Sequence, residues 1–398
     1  MRGDGRVHVL FFTSALGGGG AEKHLVRVAN ALDRGRFRVS VAVARGGGSY
    51  EGELAADVAY HPLPGGRMRN AMLPLRRLLR TERPDVLCSF MDHANCIALL
   101  ASRGLADGPA VVAGVQNPPS TSLNRVLGPI RGAIKAGMRA LYPRADAVVA
   151  LSRGVGDELE RMIPGVAGRL AVIPNAGMDD APAAPSGVTN RSMETDGPVL
   201  VACGRLVPQK DYPVLLRALA RVREQLPARL RILGEGPLRA ELQALAASLG
   251  VADAVSWEGF QPDPTRYMAA ADVFVLSSAY EGFGNVIVEA MAAGAPVVAT
   301  DCPYGPGEIL EGGRHGVLVP PGDPGAFADA LLRVLRDPAL RERLRAAGLA
   351  RVAAYAPAAI AGEYGRLFQD VLAARAAAPV RGAGARGAEK TAFNGRTE

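Results

Sequence analysis

No stretch of the 398-residue chain approaches the roughly 20 consecutive apolar residues that a membrane-spanning helix needs. Cysteine is scarce as well. Cys88, Cys96, Cys203 and Cys302 are scattered without C-x-x-C spacing, which argues against a zinc site. They read as small buried thiols of a reducing compartment. Aromatics make up 5% of the residues and do not interleave with basic segments, so nothing but net charge speaks for nucleic acid. The first apolar run, Val7 to Phe12, is too short for the apolar core of a signal peptide and reads as a first strand. These scarcities predict a cytosolic protein, with contact to the inner face of a membrane as a further option.

Apolar residues reach 48%, enough to exclude disorder of the whole chain. The length accommodates two domains, each with its own core. The net charge of +7 and pI of about 9.5 suit nucleic acid, anionic lipid or phosphate-bearing substrates without choosing among them.

Short apolar runs alternate with helical patterns in the first half. Candidate strands are Val7–Phe12, Phe37–Val43, Val58–His61, Asp85–Phe90, Ala110–Val115, Ala147–Leu151 and Leu170–Ile173, with helices such as Ala21–Leu32 and Leu73–Thr81 between them. This is the pattern of a parallel sheet with crossover helices. From Asp179 to Pro198 the composition turns to Pro, Ser, Gly and Asn, as in a linker. A second series follows: Val199–Cys203, Leu230–Leu233, Ala254–Trp257, Val273–Leu276, Val297–Thr300 and Val317–Val319, with helices Tyr212–Gln225, Pro237–Leu249 and Pro324–Leu335. The expected class is α/β, with two Rossmann-like doubly wound parallel-sheet domains facing a central cleft. The boundaries read as a first domain over 1–180, a linker over 181–198 and a second domain over 199–356. A helix at about 357–374 packs back on the first domain, and 375–398 forms an Ala/Gly/Arg-rich disordered tail.

The richest stretch is Tyr280-Glu281-Gly282-Phe283-Gly284-Asn285-Val286-Ile287-Val288-Glu289-Ala290-Met291. Two carboxylates bracket a glycine turn and the start of an apolar helix, whose unpaired N–H groups suit an anion or sugar hydroxyls. Glu281 alone could simply complement a helix dipole. Glu289, amid apolar neighbours, is costly unless paired or ligand-bound. Arg205 and Lys210 lie five apart after the first strand of the second series, in Gly204-Arg205-Leu206-Val207-Pro208-Gln209-Lys210. Arg offers a bidentate fork and Lys a point charge, a pairing suited to a diphosphate; a solvated surface pair is the plain alternative. Gly234-Glu235-Gly236-Pro237 makes a tight strand–helix turn. With Trp257-Glu258-Gly259-Phe260 it could line a base pocket. Gly17-Gly18-Gly19-Gly20 opens the first helix without Walker or dinucleotide spacing, so it serves either backbone approach to a ligand or plain flexibility.

In this order and spacing, Gly204-Arg205…Lys210, Gly234-Glu235-Gly236-Pro237 and Glu281-Gly282-Phe283-Gly284…Glu289 resemble the nucleotide-sugar domain of retaining GT-B glycosyltransferases of family 4. Asp301-Cys302-Pro303-Tyr304-Gly305-Pro306-Gly307-Glu308-Ile309-Leu310 is similar to the branch that builds lipopolysaccharide cores, capsules and lipid-linked oligosaccharides. The likeness is strong from Val199 to about Pro321 and looser at Gly17–Glu22 and Val172-Ile173-Pro174-Asn175.

The resemblance implies roles. Arg205 and Lys210 would hold the donor's diphosphate and Glu281 its sugar, with N–H groups around Phe283, Gly284 and Asn285 adding contacts. Glu289 would take the ribose, and the Gly17–Gly20 loop would approach the diphosphate from the other domain. No cofactor or metal is expected, since fixed cations do the electrostatic work and the Asp-x-Asp triplet of the other large glycosyltransferase fold is missing. Retention by a front-face route is implied, with no covalent nucleophile. Where many relatives carry a histidine after the fifth strand, this chain has Gln116 followed by Asn117. Gln hydrogen-bonds a hydroxyl but does not titrate. His93 is either an acceptor contact or a partly exposed loop histidine.

Arg125–Tyr142 reads as an amphipathic helix. Its apolar stripe is Leu127, Ile130, Ile134, Met138 and Leu141, and its basic row is Arg131, Lys135 and Arg139. It is an ordinary domain helix or a dock for anionic lipid. Arg67, Arg69, Arg76, Arg77, Arg80 and Arg83 add a second basic run. The partners expected are a nucleotide-sugar donor and a glycan or lipid-linked acceptor, with no nucleic acid. The leading expectation is a glycosyltransferase. A nucleotide-sugar epimerase or hydrolase of the same fold is the first alternative, and a non-catalytic sugar-nucleotide or membrane-binding protein the second.

Overall fold

The computed structural model of the chain describes residues 5–17, 19–120, 128–178 and 197–377, with backbone alone at 128–130. Gly18, the start of the Arg125–Tyr142 segment, most of the expected linker and the tail from 378 onward lie outside the described residues.

Among the described residues, the first sheet has seven strands: β1 (Val7–Thr13), β2 (Phe37–Val43), β3 (Ala59–Pro62), β4 (Val86–Phe90), β5 (Ala110–Val115), β6 (Ala147–Ala150) and β7 (Leu170–Val172). Their spatial order is β3-β2-β1-β4-β5-β6-β7, and every pairing is parallel. β1 lies inside the sheet, with Val9 opposite both Val39 and Val86. It is buried at all seven positions, which explains its unbroken apolar run. β3 is an edge strand, and it starts one residue later than the sequence predicts, ending on Pro62. Proline is tolerated there because an edge position needs no further N–H partner.

The second sheet comprises β8 (Val199–Cys203), β9 (Arg229–Leu233), β10 (Val255–Gly259), β11 (Val273–Leu276), β12 (Val297–Thr300) and β13 (Val317–Val319), ordered β10-β9-β8-β11-β12-β13 and again parallel. All thirteen expected strands are present, with ends shifted by a residue or two. The Pro237–Leu249 helix begins at Arg239, after a turn.

Apolar side chains cover both faces of each sheet. On one face of the first sheet Phe11, Phe37 and Phe90 meet Leu25 and Val28 of the helix Gly20–Ala31; on the other, Leu10 and Phe12 meet Leu75, Met138 and Tyr142. The scarce aromatics are concentrated on the first of these faces. There the last described helix, Pro357–Ala377, returns from the second domain and inserts Tyr364 and Phe368. Phe368 lies 6.2 Å from Phe11, 6.3 Å from Phe37 and 5.8 Å from Tyr364, centroid to centroid. Burying one such ring contributes roughly 1.5–3 kcal/mol. The last helix is thus a core element of the first domain, and it ties the two domains together.

The expectation of four buried cysteines is corrected in part, and one of the two readings of the amphipathic helix is favoured. Cys88 and Cys302 are buried, but Cys96 and Cys203 are only partly so; all four are free thiols. The amphipathic helix spans Gly128–Leu141, and Met138 and Leu141 are buried in the domain core. Its described apolar stripe therefore meets protein, and the exposed part of its basic row is Arg131 and Arg139. In the second basic run, Arg76 is used within the fold: its guanidinium donates to the carbonyls of Ala101 and Arg103 at 2.8 and 2.6 Å. No described helix is long and apolar enough to cross a membrane.

Candidate active site

Strand order reverses between β8 and β11, and loops from the carboxyl ends of both strands meet there. Such a switch point leaves a crevice between diverging loops. The loop after β8 carries Gly204 to Lys210 and ends in a single turn, Pro208–Lys210, before Asp211 at φ +44°. Tyr212 Oη donates to the carbonyl of Gly204 at 3.0 Å. The Gly234 turn packs directly on this loop: a Cβ at Gly234 would stand 2.2 Å from the Gly204 oxygen, and one at Gly236 would stand 2.4 Å from the Leu206 oxygen. Both glycines are explained by close packing against the loop. Gly234 N–H also donates to Gly259 O at 2.7 Å, so the Gly234 and Trp257–Phe260 segments do meet, with Phe260 72% exposed beside them. Arg205 is exposed, and its guanidinium makes no ion pair or hydrogen bond among the described residues.

Glu281, after β11, is buried. Its Oε1 accepts from Lys210 Nζ at 2.6 Å and from Ser278 Oγ at 2.7 Å, while Gln209 Nε2 lies 3.4 Å from Oε2. Ser277 Oγ donates to the Lys210 carbonyl at 2.8 Å, so side chains from each loop grip the other. Gln209, Ser277 and Ser278 were not singled out in the sequence. The signal was two hydroxyls directly after an apolar strand, at the strand end where the sheet reverses. Phe283 is buried, edge-on to Tyr355 at 5.5 Å. Gly284, at φ +101°, turns the chain into the helix Asn285–Ala292.

Glu289 projects from that helix between buried Val288 and Ala290. Burial raises its pKa, and the nearby charges of Arg27, Lys23 and Lys210 act the other way. Its carboxylate has no hydrogen bond or ion pair among the described residues. Two of those cations come from the first domain, so Glu289 faces across the cleft.

On the first domain's side the order reverses between β1 and β4. The helix from Gly20 points its start at the second domain's helix from Asn285: a Cβ at Gly20 would lie 2.5 Å from Asn285 Nδ2. Asn175 Nδ2 donates to Asn285 Oδ1 at 3.1 Å and closes the same junction. Gly17 is exposed, and Gly19 sits beside Glu22. Gln116 follows β5 and is 9% exposed; its Oε1 is buried without a hydrogen-bond partner. The backbone of Gln116 and Asn117 lies against Gly282, where a Cβ would be 3.0 Å from the Gln116 oxygen. His93 is not a loop residue. It stands in the first turn of the helix Asp92–Ser102, after Met91 at φ +83°, and burial lowers its pKa. Beneath it Tyr142 Oη donates to Asp92 Oδ1 at 2.9 Å, and Asn95 Nδ2 donates to Gly114 O at 2.9 Å. This network, also missed in the sequence, fixes the strand ends that carry His93 and Gln116.

The structure thus brings Lys210 with Glu281, Gly20 with Asn285, and Gln116 and Asn117 with Gly282. It leaves Arg205 exposed and the Glu289 carboxylate without a bond at the same cleft. A buried carboxylate held by an ammonium, beside exposed cation and two opposed helix N-termini, can bind a polyhydroxylated anion.

The chain is similar to known glycosyltransferases. Residues 18–176 match the family described as Glycosyltransferase Family 4, and residues 197–337 match Glycosyl transferases group 1. LpsE of Rhizobium meliloti, a lipopolysaccharide core biosynthesis glycosyltransferase, is 30% identical over 351 residues, covering 83% of this chain and 89% of LpsE. A Campylobacter jejuni N-acetylgalactosaminyltransferase, named for a diphospho-undecaprenol-linked saccharide, is 27% identical over 86% of this chain and 94% of its own. The crystal structure of Anabaena HepE in complex with UDP and glucose shares the fold, with a TM-score of 0.77 at 22% identity over 92% of this chain and 100% of HepE. The chain belongs to the group 1, family 4 glycosyltransferases, built on the GT-B fold of two Rossmann-like domains.

Proposed function

We propose that this glycosyltransferase moves a sugar, with retention of anomeric configuration, from a nucleoside-diphosphate-sugar to a hydroxyl of a growing cell-surface glycan, on a lipid-linked acceptor. The observation that carries this reading is the Lys210–Glu281 pair at 2.6 Å beside exposed Arg205, at the reversal point of the second sheet. Arg205 and Lys210 take the diphosphate, Glu281 the donor sugar and Glu289 the ribose. The bond from the anomeric carbon to the phosphate oxygen breaks, and the bond to the acceptor oxygen forms on the same face. The acceptor's proton passes to the departing phosphate, whose charge the two cations stabilise. No resident metal takes part. Gln116, and His93 at the neighbouring strand end, contact the donor sugar or acceptor from the first domain.

The names of LpsE and the Campylobacter enzyme support a polysaccharide pathway, and HepE, crystallised with UDP and glucose, makes UDP-sugars the first donors to try. Docking on anionic lipid would be electrostatic, through Arg131 and Arg139 with Arg69, Arg77 and Arg80, because the described apolar stripe of the Gly128–Leu141 helix is spent inward.

A thermal-shift panel of nucleoside diphosphates and their sugars identifies the donor, and release of nucleoside diphosphate is then measured with and without glycan acceptors. Acceptor-dependent release that survives a chelator is expected. Equal release without acceptor would favour the epimerase or hydrolase reading, and donor binding without turnover on any acceptor would favour a binding protein. Sedimentation with phosphatidylglycerol vesicles, lost in high salt, is expected if the basic face docks.

A further inference from the structure

The segment Asp301–Leu310 carries two acids, Asp301 and Glu308, and the proposed donor site gives neither a role; Glu308 is the one that reaches the first domain. Glu308 lies in the short helix Pro306–Ile309, after β12 of the second domain. Its carboxylate reaches the first domain. Oε2 accepts from the backbone N–H of Arg153 at 2.9 Å, and Oε1 accepts from that of Gly154 at 3.1 Å. These are the opening amides of the helix Arg153–Met162, which no intrahelical carbonyl can satisfy. That helix's own cap, Ser152, takes only Val155 N–H, at 3.3 Å. Glu308 therefore completes, from the other domain, a cap that the helix lacks. The bonds are charge-assisted and aligned with the helix dipole.

The same segment holds Glu281. Glu281 N–H donates to Pro303 O, and Tyr304 N–H donates to Glu281 O, both at 2.9 Å. The Tyr304 ring covers Gly154: a Cβ there would stand 2.1 Å from ring Cδ1. Arg351 steadies the segment from behind, with Nε 3.2 Å from Ile309 O and an ion pair to Glu311 at 3.0 Å. One end of the segment thus clamps the backbone of Glu281, and the other grips the first domain.

We propose that Glu308 is a positioning residue, an interdomain latch that seats the first domain on the Glu281 turn and brings Gln116 against Gly282. This rests on the site reading above. The latch lies beside space that solvent can enter. A cavity of about 500 Å³ lies between the domains beside it, lined by Arg153, Glu308, Glu311, Arg351 and Tyr355 among others. Water entering there would solvate the carboxylate and both amides on release. Without Glu308 the donor contacts within the second domain persist, but the closed arrangement is populated less.

Amide exchange at Arg153 and Gly154 in the full chain reads the latch directly. In Glu308→Ala, exchange of these amides should rise at least tenfold. Glu308→Gln, equal in volume but with one acceptor oxygen, should fall between. In the transfer assay, kcat should drop tenfold or more in Glu308→Ala while the donor KM changes less than threefold. Unchanged exchange in both variants overturns the latch. A raised KM with intact kcat overturns the positioning role, because Glu308 would then be a donor contact. If the wild type transfers no sugar, the functional reading fails, yet the exchange comparison still decides whether Glu308 latches the domains.

Discussion

Lys210 Nζ lies 2.6 Å from Glu281 Oε1, joining the loop after β8 to the loop after β11 across the point where the second sheet reverses. The side chains are 15% and 8% exposed, so the pair is largely desolvated. Removing one partner leaves the other charge in a poor solvent. Lys210→Met should cost roughly 3 kcal/mol of stability and lower kcat/KM by at least about a hundredfold. Glu281→Gln, which keeps its shape and the Ser278 contact, should lose comparable activity with less stability. Denaturant melts and initial rates on both variants check this; wild-type rates in either would remove the pair from the mechanism.

Gly305 sits at φ +101°, and a Cβ there would stand 2.1 Å from the carbonyl oxygen of Phe283. Both the backbone conformation and the space exclude a side chain. Gly305→Ala should push the Phe283–Gly284 turn away from the donor. The variant is expected to lose more than about 1 kcal/mol of stability and to weaken nucleotide-sugar binding. A melting temperature and donor KM within error of wild type would show that the turn yields freely.

His24 is buried and neutral. Burial, aided by the charge of Arg27, lowers its pKa to about 3, and Nδ1 accepts the N–H of Ala176 at 2.9 Å. The folded pKa lies below the unfolded value of about 6.5, so the unfolded chain takes up a proton first as pH falls. The contribution of neutral His24 is complete above pH 6.5 and declines toward pH 3, by at most about 1.4 kcal/mol per pH unit. Between pH 7 and 5 the wild type should lose about 2 kcal/mol more than His24→Asn, whose side-chain oxygen replaces Nδ1 as acceptor. Exchange of β1 amides reports the first domain's stability; parallel pH curves for the two proteins would refute the assignment.

Phe368 belongs to the last helix yet packs in the first domain's core against Phe11 and Phe37. Phe368→Ala should cost about 3–5 kcal/mol. The loss should appear in exchange of β1 and β2 amides before those of β8. Equal loosening of both sheets would mean that the two domains unfold as one unit.

The strands were legible because each is a short apolar run bounded by turn residues, and all thirteen lie within a residue or two of their expected places. The motif loops were legible because several of them, each pairing glycine with charged residues after an apolar run, follow one another in a set order and spacing. The amphipathic stripe of the Gly128–Leu141 helix was ambiguous for a physical reason: apolar periodicity reports that a face is covered and not by what. In Met138 and Leu141 the cover is the protein's own core. His93 reads as a loop residue in the sequence because its helix, Asp92–Ser102, follows Met91 at φ +83°, a conformation that composition does not announce.

By itself the sequence determined which segments form strands, that two doubly wound sheets follow one another, and which charged residues stand at their carboxyl ends. Those properties depend on neighbours within a few residues. Only the tertiary structure decided that Lys210 bonds Glu281, that Gly20 meets Asn285, and that Glu308 caps a helix 155 residues away. Each depends on how two sheets face one another, and that is settled by the packing of distant side chains such as Phe368 against Phe11, which no local pattern encodes.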